Sequence, residues 1–168
     1  LGYVTTHSEA SWICVDESLL PIAEAIAPHA QGVKGWIIMS DKPLDQIETS
    51  LPDVHHYEDL LTAAADTREW PLISEDSAYS ACYTTGTTGN PKGVYFTHRQ
   101  LVLHTLAAAV TVGCRENPRL MGSDDVYMPI TPMFHVHAWG VPYVATMLGV
   151  KQVYPGRYEP DMLCRLIK

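Results

Sequence analysis

Residues Tyr83–Gly93 read YTTGTTGNPKG. Four threonines, three glycines, one proline and one lysine in eleven residues suit neither a core strand nor an amphipathic helix. Glycines let the chain turn so that successive backbone N–H groups converge on one point, a nest that binds anions and phosphate above all. Threonine hydroxyls add donors, or oxygen ligands for Mg2+. Lys92 brings a full positive charge, and Pro91 stiffens the approach to it. The chemistry this points to is a triphosphate gripped through its β- and γ-phosphates. The stretch is not the common P-loop, G-x-x-x-x-G-K-[ST]. Counted from Gly86, that pattern needs Gly at 91 and Ser or Thr at 93, where the chain has Pro91 and Gly93. Nor is it G-x-G-x-x-G.

Working outward, Ala78–Thr84 (AYSACYT) is strand-like and leads into the loop, and Gly93–Phe96 is a short strand after it. Thr97 and Gln100 make a T-x-x-Q capping box that opens a helix to about Val112, with Leu101, Leu106, Ala109 and Val110 as its core stripe. Upstream, Ala10–Val15 reads as a strand. Asp16 is the N-cap of a helix with apolar residues at Leu19, Leu20, Ile22, Ala23, Ile26 and Ala27, closed by Gly32. Gly35–Met39 is a second strand, giving a β-α-β pattern with neighbouring parallel strands. The chain from Ser40 to Glu75 is looser, with one short helix at about Tyr57–Ala65, and His55-His56 read as surface residues of a polar connection. Downstream come a strand at Val126–Ile130, the stretch Met133–Gly140 running into a helix to about Leu148, a strand at Lys151–Tyr154, a turn at Pro155-Gly156, and a helix from Glu159. This order predicts an α/β protein, a layered sheet flanked by helices.

The bulk composition narrows the partners. The chain has 168 residues, 46% of them hydrophobic, and a formal charge of −8. That balance argues against nucleic acid or an anionic membrane as the main partner, so a polyanionic ligand must be held by a local feature. Cys14, Cys82, Cys114 and Cys164 form no CxxC pair and read as reduced thiols of a cytoplasmic protein. No apolar run approaches the ~20 residues of a membrane span, and the opening LGYVTTHSEA lacks the pattern of a secretory leader. Glu75-Asp76 and Asp124-Asp125 read as turn and cap residues. His135-x-His137 could face one side of a strand as a metal pair, but zinc needs three or four ligands and none lies at suitable spacing.

The string Thr84-Thr85-Gly86-Thr87-Thr88-Gly89-Asn90-Pro91-Lys92-Gly93 resembles the phosphate-binding signature of the AMP-forming adenylating enzymes: acyl-CoA synthetases, peptide-synthetase adenylation domains and luciferases. Residues 132–140, PMFHVHAWG, resemble the aromatic-histidine motif that flanks the acyl and adenylate pocket of that superfamily. The wording is most like the fatty acyl-CoA synthetases, whose usual form reads FHVNAWG; this chain has His137 where Asn is usual. The flanks His98-Arg99 and Lys151–Gly156 agree, so the resemblance covers essentially the whole chain.

The resemblance implies an ATP-dependent fatty acid–CoA ligase with ATP, Mg2+ and coenzyme A as cofactor and co-substrates. Thr84 would help bind Mg2+. Thr84, Thr85, Gly86, Thr87, Thr88, Gly89 and Lys92 would cradle the pyrophosphate end of ATP. His135 would line the site near the reacting carboxylate, and Trp139 would gate the acyl tunnel. The expected domain is a single partial AMP-binding domain over residues 1–168, part of the large N-terminal domain of an acyl-CoA synthetase. The adenine, ribose and catalytic-lysine motifs are not in the chain, so the 168 residues are expected to be inactive alone and to self-associate. Two readings stay beside this one: adenylation of an aryl or amino acid, and a non-catalytic phosphate-binding or scaffold module.

Overall fold

The structure, a computed structural model, describes residues 1–84, 89–114 and 120–167. The chain divides into two compact units, Leu1–Pro71 and Leu72–Lys168.

The first unit runs α1 (Gly2–His7), β1 (Trp12–Asp16), α2 (Leu20–Ile26), β2 (Gly35–Met39), β3 (Val54–His56) and α3 (Tyr57–Ala63). The three strands form one parallel sheet in the order β1-β2-β3. Asp16 ends β1 and caps the helical turn after it. Its Oδ1 accepts from the backbone N–H of Ser18 at 2.9 Å, satisfying an amide that the turn leaves open. Pro21 sits in the first turn of α2, where its missing N–H costs nothing. Strand alternation turns Trp36 and Ile38 inward, 2% and 0% exposed, onto Val15, Leu20 and Ala23.

The expected β-α-β unit is therefore present, and two features lie outside the sequence reading. Helix α1 is too short to show a period. The reading of His56 as a surface residue is corrected, because it sits on β3 and is buried, 6% exposed. Its Nε2 donates to the Ser40 carbonyl at 3.0 Å, while Nδ1 lies 3.4 Å from Asp59 Oδ1 without making a hydrogen bond. A three-residue edge strand with one apolar side chain carries too little pattern to be read. Its backbone bonds to β2 decide its conformation.

The second unit begins with β4 (Ala78–Thr84) and β5 (Lys92–Thr97), paired antiparallel. Helix α4 (His98–Gly113) comes directly after β5. Its capping box is complete: Thr97 Oγ1 accepts from Gln100 N at 3.2 Å, and Gln100 Oε1 accepts from Thr97 N at 2.9 Å. Strand β6 (Val126–Tyr127), helix α5 (Val141–Met147) and strand β7 (Lys151–Gln152) form a short parallel pair joined through a helix, and α6 (Pro160–Ile167) completes the unit. β6 stops before Pro129, which is fully buried and has no N–H for a ladder.

Among the described residues the strands thus divide into three small sheets, parallel and antiparallel, within the expected α/β class. The stripe predicted for α4 is corrected in part. Thr105 and Ala109 are its buried residues, whereas Leu106 and Val110 are 47% and 62% exposed. The helix packs against α5, and of the expected stripe Ala109 is buried and Leu101 half-buried, with Thr105 between them as the buried residue the stripe did not include.

Candidate active site

The two sequence motifs come together on β4. Its outer end delivers Thr84, whose cross-strand partner is Lys92. The first and last polar groups of the glycine-threonine loop are therefore neighbours on a ladder, held about 5 Å apart at Cα. Lys92 is exposed and pairs with no described carboxylate, which leaves its charge available to an anion. Gly93 lies against the Tyr83 ring, where a Cβ would come within 3.1 Å. Gly89 has φ +90°. Thr85, Gly86, Thr87 and Thr88 lie outside the described residues.

The inner part of β4 meets the second motif. Tyr79 falls at an irregularity in the ladder, since Ala78 pairs with Thr97 and Ser80 with Phe96. Such a bulge re-aims a side chain. Tyr79, Phe96, Leu101, His104, His137 and Trp139 border a largely apolar cleft of about 290 Å³. Burial pushes the Tyr79 phenol up to about 12, with the hydrogen bond to Tyr143 adding to the shift, so it is a neutral donor at physiological pH.

The segment that closes the cleft has unusual backbone. Val136, His137, Ala138, Trp139 and Gly140 all have positive φ, between 49° and 73°, a single turn of left-handed helix. Each non-glycine residue there costs on the order of 1–2 kcal/mol, most for the β-branched Val136. Gly140 also approaches His104 so closely that a Cβ would stand 2.9 Å from its ring. Side-chain contacts hold the turn. His137 Nε2 hydrogen-bonds Ser80 Oγ, and Cys82 Sγ lies 3.3 Å from its Nδ1. The Tyr79 and Phe96 rings flank the imidazole at 5.7 and 5.9 Å.

The turn separates the two motif histidines. His135, exposed, stands edge-on to Trp139 with centroids 6.1 Å apart, while His137 points back to β4. Trp139 borders the cleft and is 62% exposed, outside the core. For Mg2+, Thr84 offers one hard hydroxyl oxygen, and no cluster of three or more His, Cys, Asp or Glu among the described residues could hold a metal. A cation that takes most of its ligands from phosphate and water fits that donor set.

The AMP-binding enzyme model matches residues 1–168, the whole chain. This chain belongs to the AMP-binding enzyme family. Within that family it is 40% identical over 156 residues to the medium-chain-fatty-acid–CoA ligase of Ectopseudomonas oleovorans, covering 93% of this chain and 28% of the relative. It is also 40% identical over 167 residues to the long-chain-fatty-acid–CoA ligase of Thermus thermophilus, covering 99% and 28%. The chain therefore spans little more than a quarter of the length of these curated relatives. Its fold superposes with a TM-score of 0.73 on a putative long-chain-fatty-acid CoA ligase from Rhodopseudomonas palustris, at 20% identity and over 99% of this chain and 37% of that one.

Tyr79, Ser80, Cys82, Phe96 and His104 were not among the sequence candidates. Period-2 alternation in AYSACYT does place Ser80 and Cys82 on one face. The bulge at Tyr79 and the left-handed turn leave no mark in residue type.

Proposed function

We propose that the protein carrying this chain is an ATP-dependent fatty acid–CoA ligase, and that residues 1–168 are part of its AMP-binding domain. A fatty acid carboxylate attacks the α-phosphate of ATP, releasing pyrophosphate, and the acyl group of the adenylate passes to the thiol of coenzyme A with release of AMP. The observation that supports this reading is the β4–β5 hairpin, which carries the ends of the glycine-threonine loop at one end and walls an apolar cleft at the other. From Ser80 to Thr84 is four residues of strand, about 13 Å. That spacing suits a molecule whose phosphates lie at the loop and whose acyl part lies among Tyr79, Phe96 and Trp139.

In this reading Lys92, with the loop amides, stabilises charge that builds on the departing pyrophosphate. Thr84 would offer its hydroxyl oxygen to Mg2+, which would supply further charge neutralisation there. His135 lies beside the reacting carboxylate, and Trp139, at the mouth of the cleft, gates the acyl path. Four unpaired cysteines support a reducing, cytoplasmic setting, and no described helix is long and apolar enough to cross a membrane.

The test is pyrophosphate exchange by the full-length protein with short-, medium- and long-chain fatty acids, an aryl acid and amino acids, and then thioester formation with coenzyme A. Exchange driven by fatty acids is expected. Exchange driven only by an aryl or amino acid would move the protein to another adenylating class, and ATP binding without exchange would make it a binding module. Lys92→Ala is expected to lower the exchange rate by about 10²–10³-fold at saturating acid.

A further inference from the structure

We infer that His137 is a positioning residue, a pin that fastens the left-handed turn to β4 and so fixes where Trp139 stands at the cleft and where His135 stands beside Trp139. The inference rests on the ligase reading only for what the cleft receives.

Three observations carry it. The imidazole makes contacts from both nitrogens to one strand, Nε2 to Ser80 Oγ and Nδ1 to Cys82 Sγ at 3.3 Å. It is enclosed on its sides by Tyr79 and Phe96. It also lies in the middle of a run whose backbone conformation is unfavourable for every residue but Gly140. Such a run persists only where surrounding contacts over-determine it.

The two partners of the pin differ in what else holds them. β4 is fixed by its antiparallel ladder to β5, from Ala78↔Thr97 to Thr84↔Lys92. Among the described residues the turn has no ladder to a neighbouring strand; His135 N bonds Pro132 O and Ala138 N bonds His135 O, both at 3.0 Å, and these local bonds tie the turn to its own chain and not to β4. Loss of the pin therefore moves the turn and leaves the strand. The consequence falls on the acyl side, through His135 and Trp139, and not on the phosphate end at Thr84 and Lys92.

The experiment compares His137→Ala, His137→Asn and Ser80→Ala in the full-length protein, with two readouts. The first is alkylation of Cys82, read by peptide mapping. Cys82 is buried beneath the imidazole, so the Ala variant is expected to react about tenfold faster or more, while exposed Cys14, Cys114 and Cys164 keep their rates. The second is the split between KM for the acid and KM for ATP. The Ala variant is expected to raise the acid KM about tenfold and to leave the ATP KM within about twofold. Asn keeps a donor and an acceptor and tolerates positive φ better than other non-glycine residues, so it is expected to recover most of the loss on both readouts.

An equal rise in both KM values, no rise in either, or an Asn variant as impaired as the Ala variant would overturn the inference. Should His137→Ala fail to fold, Ser80→Ala decides by the same acid-to-ATP ratio, expected to shift in the same direction. Should the wild type activate no fatty acid, the ligase reading fails. Cys82 reactivity then decides the pin alone, and an unchanged rate in the Ala and Ser80 variants would overturn it.

Discussion

Gly140→Ala and Gly149→Ala form a matched pair that measures what the close approach at the cleft costs. Both glycines have positive φ, +73° and +70°. Gly149 closes α5: its N–H bonds Thr146 O at 3.2 Å, and Val150 N bonds Ala145 O at 2.8 Å, the pattern of a Schellman cap. Space around Gly149 is open, so an added methyl meets only the conformational penalty, about 1–2 kcal/mol. At Gly140 the same penalty applies, and the methyl also stands 2.9 Å from His104 Cε1 and 3.0 Å from Nδ1. The imidazole must swing away, at a further cost of about 1–2 kcal/mol by analogy with overpacked cores. Gly140→Ala is therefore expected to destabilise by about 2–4 kcal/mol in total. The assay is urea unfolding monitored by far-UV circular dichroism, with thermal melts as a check. A unit of this size shifts by about 4–8 °C per kcal/mol. Equal losses for the two variants would show that the His104 contact is not felt, and no loss for either would refute the left-handed assignment itself.

Ile38→Ala, at 0% exposed between β1 and β3, is expected to lose about 2–5 kcal/mol, whereas Met39→Ala at 37% exposed loses under about 1; urea midpoints of the two variants check the ordering. The hydrogen bond to the Ser40 carbonyl holds the His56 pKa above its ordinary 6.5. The stabilisation it brings is thus fully present below the unfolded-state pKa and is lost as pH rises through the elevated folded value. Unfolding midpoints against pH should show this loss in the wild type and not in His56→Gln, and parallel curves would dismiss it. Sedimentation velocity of the 168-residue chain is expected to show self-association at high concentration, driven by apolar side chains such as Val102, Leu103 and Val110 on α4, and a clean monomer would count against it.

Sequence carried the local signals of this fold well. Asp16, the Thr97–Gln100 box and Gly35–Met39 declare themselves because caps and buried alternation are written in residue type within a few positions. The strand on each side of the glycine-threonine loop was legible for the same reason. What escaped depends on partners distant in sequence. His56 is buried by a bond to Ser40, sixteen residues away. His137 is oriented by Ser80 and Cys82, more than fifty residues away. Thr105 is buried on α4 although its residue type does not announce it.

The pairing of Thr84 with Lys92 also has a bearing on the order of folding. Those two residues are eight apart in sequence, and the ladder behind them closes outward as one hairpin with no intervening element among the described residues. Local hairpins form within about 1–10 μs, far sooner than parallel strands that await a crossover. A two-stranded hairpin alone is marginal in water. The ends of the glycine-threonine loop thus meet early and briefly, and they stay together only once α4, capped at Thr97 directly after β5, has docked. The Thr84–Lys92 closure is a cheap local structure made durable by the helix next to it in the chain.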